Sequence, residues 1–233
     1  MGGPRSDVTL SVIMPVYNER ETTLEVIRRV EAVDISKEII VVDDASTDGT
    51  REILKSVERD GIRLICNQTN QGKGSSIRTA LKFAVGDLVI IQDGDLELDP
   101  ADYPKLVKPI LEGRAQVVYG SRRLASTSPP INSLFTLGGA LLTWLTNLLY
   151  GSSLTDEATC YKVLPLKLLR DIDVKAKRFE FCPEVTAKVL KRGFTITEVP
   201  ISYFPRTVDG GKKIRWRDGL AAGWTLIKYR FID

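Results

Sequence analysis

Five short apolar runs alternate with four helical stretches through the first half of this chain, and that alternation is what most limits the fold. The runs at Leu10–Met14, Glu38–Val42, Ile62–Cys66, Leu88–Gln92 and Gln116–Tyr119 read as strands. Between them, near Glu19–Val33, Thr47–Arg59, Ser75–Val85 and Asp102–Gly113, apolar residues recur at helical spacing. Strand and helix in turn predict an α/β fold with a mainly parallel sheet covered on both faces. Such sheets bind ligands at the carboxyl ends of their strands. The polar clusters fall there: Pro15-Val16-Tyr17-Asn18-Glu19 after the first run, Asp43 to Gly49 after the second, Asp93-Gly94-Asp95 after the fourth. One site is assembled from several strand ends.

The 233 residues suffice for one large domain, and a formal charge of +3 is too small to argue for nucleic acid. Histidine is absent, which removes Ser-His and Cys-His catalysis and His-based zinc sites. Cys66, Cys160 and Cys182 form no CxxC pair. They read as reduced core thiols of a cytosolic protein. The opening MGGPRSDVTLS carries no apolar signal segment.

In VIIQDGDLELDP, residues 89–100, Asp93 and Asp95 would share one side of an extended segment, with Glu97 following in phase. Like charges so close need a cation between them. Asp and Gly are also common turn formers, and in isolation a plain turn is the better reading. Position shifts the balance, because the other loops at this sheet edge are acidic too. Hard oxygen ligands there suit Mg²⁺ or Mn²⁺ bridging a diphosphate. Of Asp43 and Asp44, one can accept from a base or ribose, although capping explains Ser46 to Gly49 without any ligand. Asn70-Gln71-Gly72-Lys73-Gly74-Ser75 opens a helix whose amides could meet an anion, a weak signal without the Walker spacing. Arg122 and Arg123 bring guanidinium groups to the same edge.

The second half differs. Leu124 to Thr155 contains no charged residue. A helix from about Ser133 to Leu149 would carry a stripe of Leu134, Leu137, Leu141, Leu145 and Leu148, and a small, hydroxyl-bearing one of Thr136, Ala140, Thr143 and Asn147. That mixture favours a core or interfacial helix over a span. Lys212-Lys213-Ile214-Arg215-Trp216-Arg217, followed by Leu220, Trp224, Ile227 and Phe231, suits an anionic membrane surface, and equally a solvated loop before a packed helix.

Taken together, Val12 to Glu19, Val42-Asp43-Asp44, Ser46, Asp48 to Thr50, Gly86-Asp87 and Asp93-Gly94-Asp95 resemble inverting family-2 glycosyltransferases. Gly120-Ser121-Arg122, Asp156 to Tyr161, Phe179 to Phe181, Glu184, Glu198-Val199-Pro200 and Arg206 to Ile214 extend the resemblance to dolichyl-phosphate mannose synthase and its polyprenyl-phosphate relatives. It implies one GT-A-type, Rossmann-like domain over residues 1–233. Residues 1–123 would bind the nucleotide sugar, and 124–233 would form the acceptor-binding, membrane-facing half with interfacial C-terminal helices. By the same resemblance, Pro15, Tyr17, Asn18, Glu19, Val42 and Asp44 would hold the nucleotide. Asp93, Asp95 and Glu97 would hold Mg²⁺ or Mn²⁺, with Lys73 and Gly94 beside them. Arg122, Arg206 and Lys213 would hold phosphates, and Thr136 and Asp156 would serve the acceptor. Thr159-Cys160-Tyr161 replaces the family's Ser-Gly-Phe segment, and Asn132 stands near where an archaeal relative uses Arg.

The implied reaction is inverting transfer of mannose or glucose from GDP-mannose or UDP-glucose to dolichyl or polyprenyl phosphate, on the cytoplasmic face of a membrane, with or without a separate transmembrane partner. Two alternatives differ in chemistry. Transfer to a saccharide hydroxyl would need a general base such as Asp156. A non-catalytic nucleotide-sugar scaffold would not need the retained Asp93, Asp95, Arg122 and Arg206. A dinucleotide-binding oxidoreductase would want GxGxxG after the first strand, and the chain has none there.

Overall fold

The computed structural model describes residues 8–125, 134–206 and 216–232. Among them run seven strands: β1 Leu10–Val16, β2 Lys37–Asp43, β3 Ile62–Cys66, β4 Leu88–Ile91, β5 Val117–Ser121, β6 Lys162–Pro165 and β7 Ile196–Pro200. They form one sheet in the order β3-β2-β1-β4-β6-β5-β7. β1 pairs in parallel with β2 and β4, β2 with β3, and β5 with β7. Only β6 runs against its neighbours β4 and β5. The mainly parallel α/β fold expected from the alternation is therefore present. Every carboxyl end except that of β6 lies at one edge, where the segment leading into β6 also arrives.

Helices α1 Thr23–Ala32, α2 Thr50–Lys55, α3 Lys73–Leu81 and α4 Tyr103–Leu111 are the expected crossovers, followed by α5 Leu134–Tyr150, α6 Leu166–Asp171, α7 Phe181–Lys191 and α8 Trp216–Phe231. β1 shows why two faces are covered. Leu10, Val12, Met14 and Val16 enter one apolar cluster with Val26 and Val30 of α1 and Leu106 of α4. Ile13 enters the opposite cluster with Ile77 of α3 and Val185 of α7. A side-chain period of two sorts one strand between two cores.

The sequence reading placed no element between the uncharged helix and the basic tail, and β6, β7, α6 and α7 lie there. β6 spans only four residues, too few for periodicity to register. β7 is half-exposed and carries Glu198 and Pro200. Helices α5 and α8 pack together against α7 around Leu226, Tyr229, Leu142 and Leu145, and the Tyr150 hydroxyl donates to the Leu226 carbonyl at 2.7 Å. Within α5 the expected stripes are rotated. Thr143 and Thr146 are buried and Leu145 packs inward, while Leu137, Leu141, Trp144 and Leu148 point outward. Each buried threonine satisfies its hydroxyl on the carbonyl four residues back, Thr143 on Gly139 and Thr146 on Leu142, so small polar residues fit the interior. No helix among the described residues is long and apolar enough to cross a membrane.

Candidate active site

Gln92 is the floor of the site. Fully buried after β4, its Oε1 accepts from the hydroxyls of Tyr103 at 2.7 Å and Tyr161 at 2.6 Å. The two rings meet edge to face. A satisfied buried network of this kind fixes geometry, and here it fixes the start of Asp93-Gly94-Asp95. Beyond Ile91 the chain leaves the strand, so Asp93 and Asp95 do not share a face as an extended segment would require. Asp95 turns back to accept from the Glu97 amide at 3.0 Å. Gly94 passes so close to β1 that an added Cβ would sit 3.2 Å from Val16.

Each acid meets its own cation. Lys73 Nζ lies 2.5 Å from Asp93 Oδ1 and 2.9 Å from Cys160 Sγ. Desolvation opposes charge on Asp93, but the Lys73 ammonium beside it holds its carboxyl below the usual range. Arg206 Nη2 lies 2.5 Å from Asp95 Oδ2, and Nη1 lies 3.1 Å from Glu19 Oε2. The Arg206 amide donates to Glu97 Oε1 at 3.1 Å. Burial and the neighbouring Asp93 push Asp95 up to about 7, although Arg206 opposes them. Arg206 is delivered here by the strand-like segment after β7. Ser202 N donates to Asp102 at 2.6 Å, Leu98 bridges Tyr203, and Phe204 N donates to the Glu97 carbonyl at 2.9 Å. Arg206 Nε is buried without a hydrogen bond and lies 3.6 Å from Glu97 Oε1, so it is held by charge alone.

The neighbouring loops are laced together. Asn18, at φ 51°, receives on its side-chain oxygen the Thr47 amide at 2.8 Å and gives its own amide to Ser46 Oγ at 2.9 Å. Glu19 N donates to Thr50 Oγ1 at 3.0 Å. Asp43 pairs with Arg51 at 2.6 Å. Asp44 is buried and accepts from Asn67 Nδ2 at 2.7 Å, Gln71 N at 3.0 Å and Gly72 N at 2.7 Å. The amides expected to greet an external anion ahead of α3 thus meet an internal one. Pro15 and Val42 pair across β1 and β2. Val42 is a core residue and Tyr17 is half-buried in the loop that follows.

On the other flank, Arg122 grips Asp156 with Nε at 2.6 Å, Nη2 at 2.7 Å and its backbone amide at 3.0 Å. Burial alone would raise the Asp156 carboxyl, yet Arg122 keeps it below its ordinary value. Glu198 of β7 holds the turn from beneath, accepting from Thr155 N at 2.7 Å and Asp156 N at 2.9 Å. Arg122 also lies over the Tyr203 ring, 5.1 Å from its centre. Arg123 Nη2 donates to the Thr136 carbonyl at 3.2 Å and ties α5 to this edge. Asn132, Lys212, Lys213 and Arg215 lie outside the described residues.

Among the described residues no three His, Cys, Asp or Glu side chains are grouped to hold a metal, so Asp93, Asp95 and Glu97 are not drawn into a three-carboxylate cage. The donor chemistry nevertheless fits a hard divalent ion. Mg²⁺ typically takes one or two carboxylates and completes its shell with water and substrate phosphate, and Asp95 is a buried carboxylate already matched by a cation. Gln92 and Tyr103 position this site without having stood out in the sequence, whereas Glu198 stood out only as part of the Glu198-Val199-Pro200 segment. Gln92 closes an apolar run and Tyr103 opens a helix, so each resembled an ordinary boundary residue.

Comparison with known proteins agrees with this geometry. The sequence model of glycosyl transferase family 2 matches residues 11–171. A low-salt glycan biosynthesis hexosyltransferase of Haloferax volcanii is 28% identical over 232 residues, covering 97% of this chain and 54% of its own. The chain therefore spans about half the length of that relative. An undecaprenyl-phosphate mannosyltransferase of Micrococcus luteus is 26% identical over 242 residues, covering 94% of this chain and 97% of its own. Among solved structures, glucosyl-3-phosphoglycerate synthase from Mycobacterium tuberculosis, crystallised with Mn²⁺, UDP and phosphoglyceric acid, superposes with a TM-score of 0.71 at 22% identity, over 97% of this chain and 80% of its own. At that identity the likeness shows the fold, a GT-A arrangement.

Proposed function

Because the chain belongs to glycosyl transferase family 2 and is a glycosyltransferase, we propose that it moves a hexose, mannose or glucose, from a nucleotide sugar to a polyprenyl phosphate with inversion. One observation carries the choice of acceptor. A sugar hydroxyl must lose a proton as it attacks and needs a base poised near neutrality. Asp156, the carboxylate suited to that work, is locked into a bidentate pair with Arg122 and kept below its normal range. The chain has no histidine to replace it, and Asp95, the carboxyl raised to about 7, is paired with Arg206 and is assigned here to the metal ion. A monoalkyl phosphate, with a second pKa of about 6, arrives already nucleophilic and needs only to be held.

Asp93 and Asp95 are the side chains that would hold Mg²⁺ or Mn²⁺. Such an ion supplies Lewis-acid stabilisation of the departing nucleoside diphosphate. Support for a divalent ion comes from the hard oxygen donors and from the metal-bound structural neighbours. Arg206 exchanges Asp95 and Glu19 for phosphate oxygens, leaving Glu97 beside its Nε. Lys73 keeps Asp93 oriented. Thr136, at the start of α5, and Lys213 serve the acceptor phosphate.

The apolar acceptor chain suits the outer face of α5 and α8. Leu137, Leu141, Trp144 and Leu148 on α5 and Trp216, Leu220, Trp224 and Phe231 on α8 are all more than half exposed. An apolar face of that kind with Arg217 beside it suits the cytoplasmic surface of an anionic bilayer. Kinship with the Micrococcus luteus enzyme supports the lipid phosphate. The test is to incubate the protein with Mn²⁺, radiolabelled GDP-mannose or UDP-glucose and short polyprenyl phosphates. Label should pass into the organic phase. Label that stays aqueous on a saccharide would replace this reading with the hydroxyl-acceptor one.

A further inference from the structure

The small, hydroxyl-bearing stripe of α5 has almost no part in the chemistry above, yet Thr136, Thr143 and Asn147 of that stripe all carry bonds to the acceptor flank. Thr136 offers its carbonyl to Arg123 Nη2 at 3.2 Å. Thr143 Oγ1 accepts the Glu157 amide at 3.0 Å. Asn147 closes a two-way pair with Leu154, its Nδ2 donating to the carbonyl and its Oδ1 accepting from the amide, both at 2.8 Å. Residues three, four and seven apart share one side of a helix, so these bonds fasten one side of α5. The segment they hold leads into Asp156, which in turn grips Arg122.

Glu157 joins this fastening to the rest of the fold. It is fully buried, and each of its polar groups meets a different element. Its amide goes to α5 as above. Its carbonyl accepts from Lys162 Nζ of β6 at 2.6 Å, and its Oε1 accepts from Thr186 Oγ1 of α7 at 3.0 Å. Lys162 is buried too, with its ammonium 3.8 Å from the centre of the Tyr119 ring of β5. The Tyr119 hydroxyl lies 3.1 Å from Thr186 Oγ1. Glu157 Oε2 has no hydrogen-bond partner among the described residues. Burying a carboxyl with one oxygen orphaned costs stability that an apolar side chain would not. Stability alone therefore does not account for Glu157, and the geometry it imposes on α5 does.

We propose that Glu157 is a positioning residue for the acceptor, holding the lipid-facing helix α5 in register with the Arg122–Asp156 pair. This role rests on the proposed function and deepens it. The two ends of one acceptor are received by different elements, its apolar chain by the outer face of α5 and its phosphate by the sheet edge where Thr136 and Arg122 stand. A chain lying along α5 reaches that edge correctly only if helix and edge are fixed to each other. Slippage of about 1 Å between such parts can cost on the order of a hundredfold. Glu157 touches neither substrate, and acts through Thr143 and the adjoining Asp156.

The test compares Glu157→Ala, Glu157→Gln and Thr143→Val, the last removing only the hydroxyl that receives the Glu157 amide. In the full chain, KM is measured separately for the nucleotide sugar and for farnesyl phosphate, and amide hydrogen exchange is followed across α3 and α5. Glu157→Ala and Thr143→Val should raise the KM for farnesyl phosphate by about tenfold or more and leave that for the nucleotide sugar unchanged. Exchange should quicken in α5 and not in α3. Glu157→Gln keeps an oxygen for Thr186 and should recover most of what Glu157→Ala loses. An unchanged KM for farnesyl phosphate, whatever happens to kcat, would overturn the proposal, because a smaller folded fraction lowers kcat alone. Both KM values rising together would overturn it as well. Should Glu157→Ala fail to fold, Thr143→Val decides by the same criteria. If wild-type protein transfers to no lipid phosphate, the functional reading has failed and exchange judges the fastening by itself: quickening confined to α5 supports it, and unchanged exchange overturns it.

Discussion

The two sides of the molecule solve opposite problems. At the sheet edge, charged groups are withdrawn from water and matched by opposite charges: Asp93 with Lys73, Asp95 and Glu19 with Arg206, Asp156 with Arg122. Across α5 and α8, large apolar residues face outward with nothing among the described residues covering them. Breaking a buried ion pair is costly because it strands a charge, so the edge holds its shape until something of equal charge takes a partner's place. An uncovered apolar face has no comparable internal partner and waits for an external one. Under the proposed function donor chemistry would belong to the first region and acceptor delivery to the second, and substitutions should separate the two.

Asp95→Ala should have the largest effect, reducing transfer on the order of 10²–10³-fold with the fold retained by circular dichroism, because Glu19 and Glu97 still pair Arg206. Asp156→Asn comes next. It leaves Arg122 without its partner and should cost about 3 kcal/mol in urea unfolding, the low end of the range because Arg122 keeps some surface. Asp156 is an acid with a depressed pKa, so its pairing stabilises the fold above about pH 4 and that stability is lost as pH falls lower. The Asn variant should lack this component of acid sensitivity.

Arg206→Ala should lower transfer about a hundredfold while calorimetry shows Mn²⁺ binding unchanged or tighter, since the guanidinium that occupies Asp95 is gone. A proportionate loss of ion binding would contradict the role given to Arg206. Because Asp95 sits near 7, protons should compete with the ion below that value, weakening Mn²⁺ binding by up to about tenfold per pH unit as pH falls from 7 to 6. The smallest effects belong to the apolar face. Trp144→Glu with Trp224→Glu should change unfolding by no more than about 0.5 kcal/mol yet abolish flotation with anionic liposomes. Flotation retained by that double variant would remove the face from the account.

The parts of this design legible in the sequence were those carried by local pattern. Continuous runs such as Ile39-Ile40-Val41-Val42 announce a strand buried on both faces, and acids at the ends of such runs announce a site. Long-range pairing was not legible. Nothing local indicates that Arg206 reaches back to Asp95, or that Lys73 touches Cys160. The expectation that Asp93 and Asp95 share one face assumed a strand that ends at Ile91. The stripe along α5 was visible in spacing, but which side faced inward depended on α7 and α8. Buried threonines there satisfy themselves on their own helix, and hydropathy does not foresee that.

Central to this account is an acceptor that needs holding rather than deprotonating, and one competition assay addresses it directly. Wild-type protein receives labelled nucleotide sugar, Mn²⁺, and equal amounts of a short polyprenyl phosphate, the matching polyprenol and a soluble saccharide, at pH 7.5. The account predicts label on the polyprenyl phosphate alone, in the organic phase, as an acid-labile glycosyl phosphate. Transfer to the free alcohol or the saccharide at a comparable rate would show that a base operates despite the Arg122–Asp156 lock, and would contradict it.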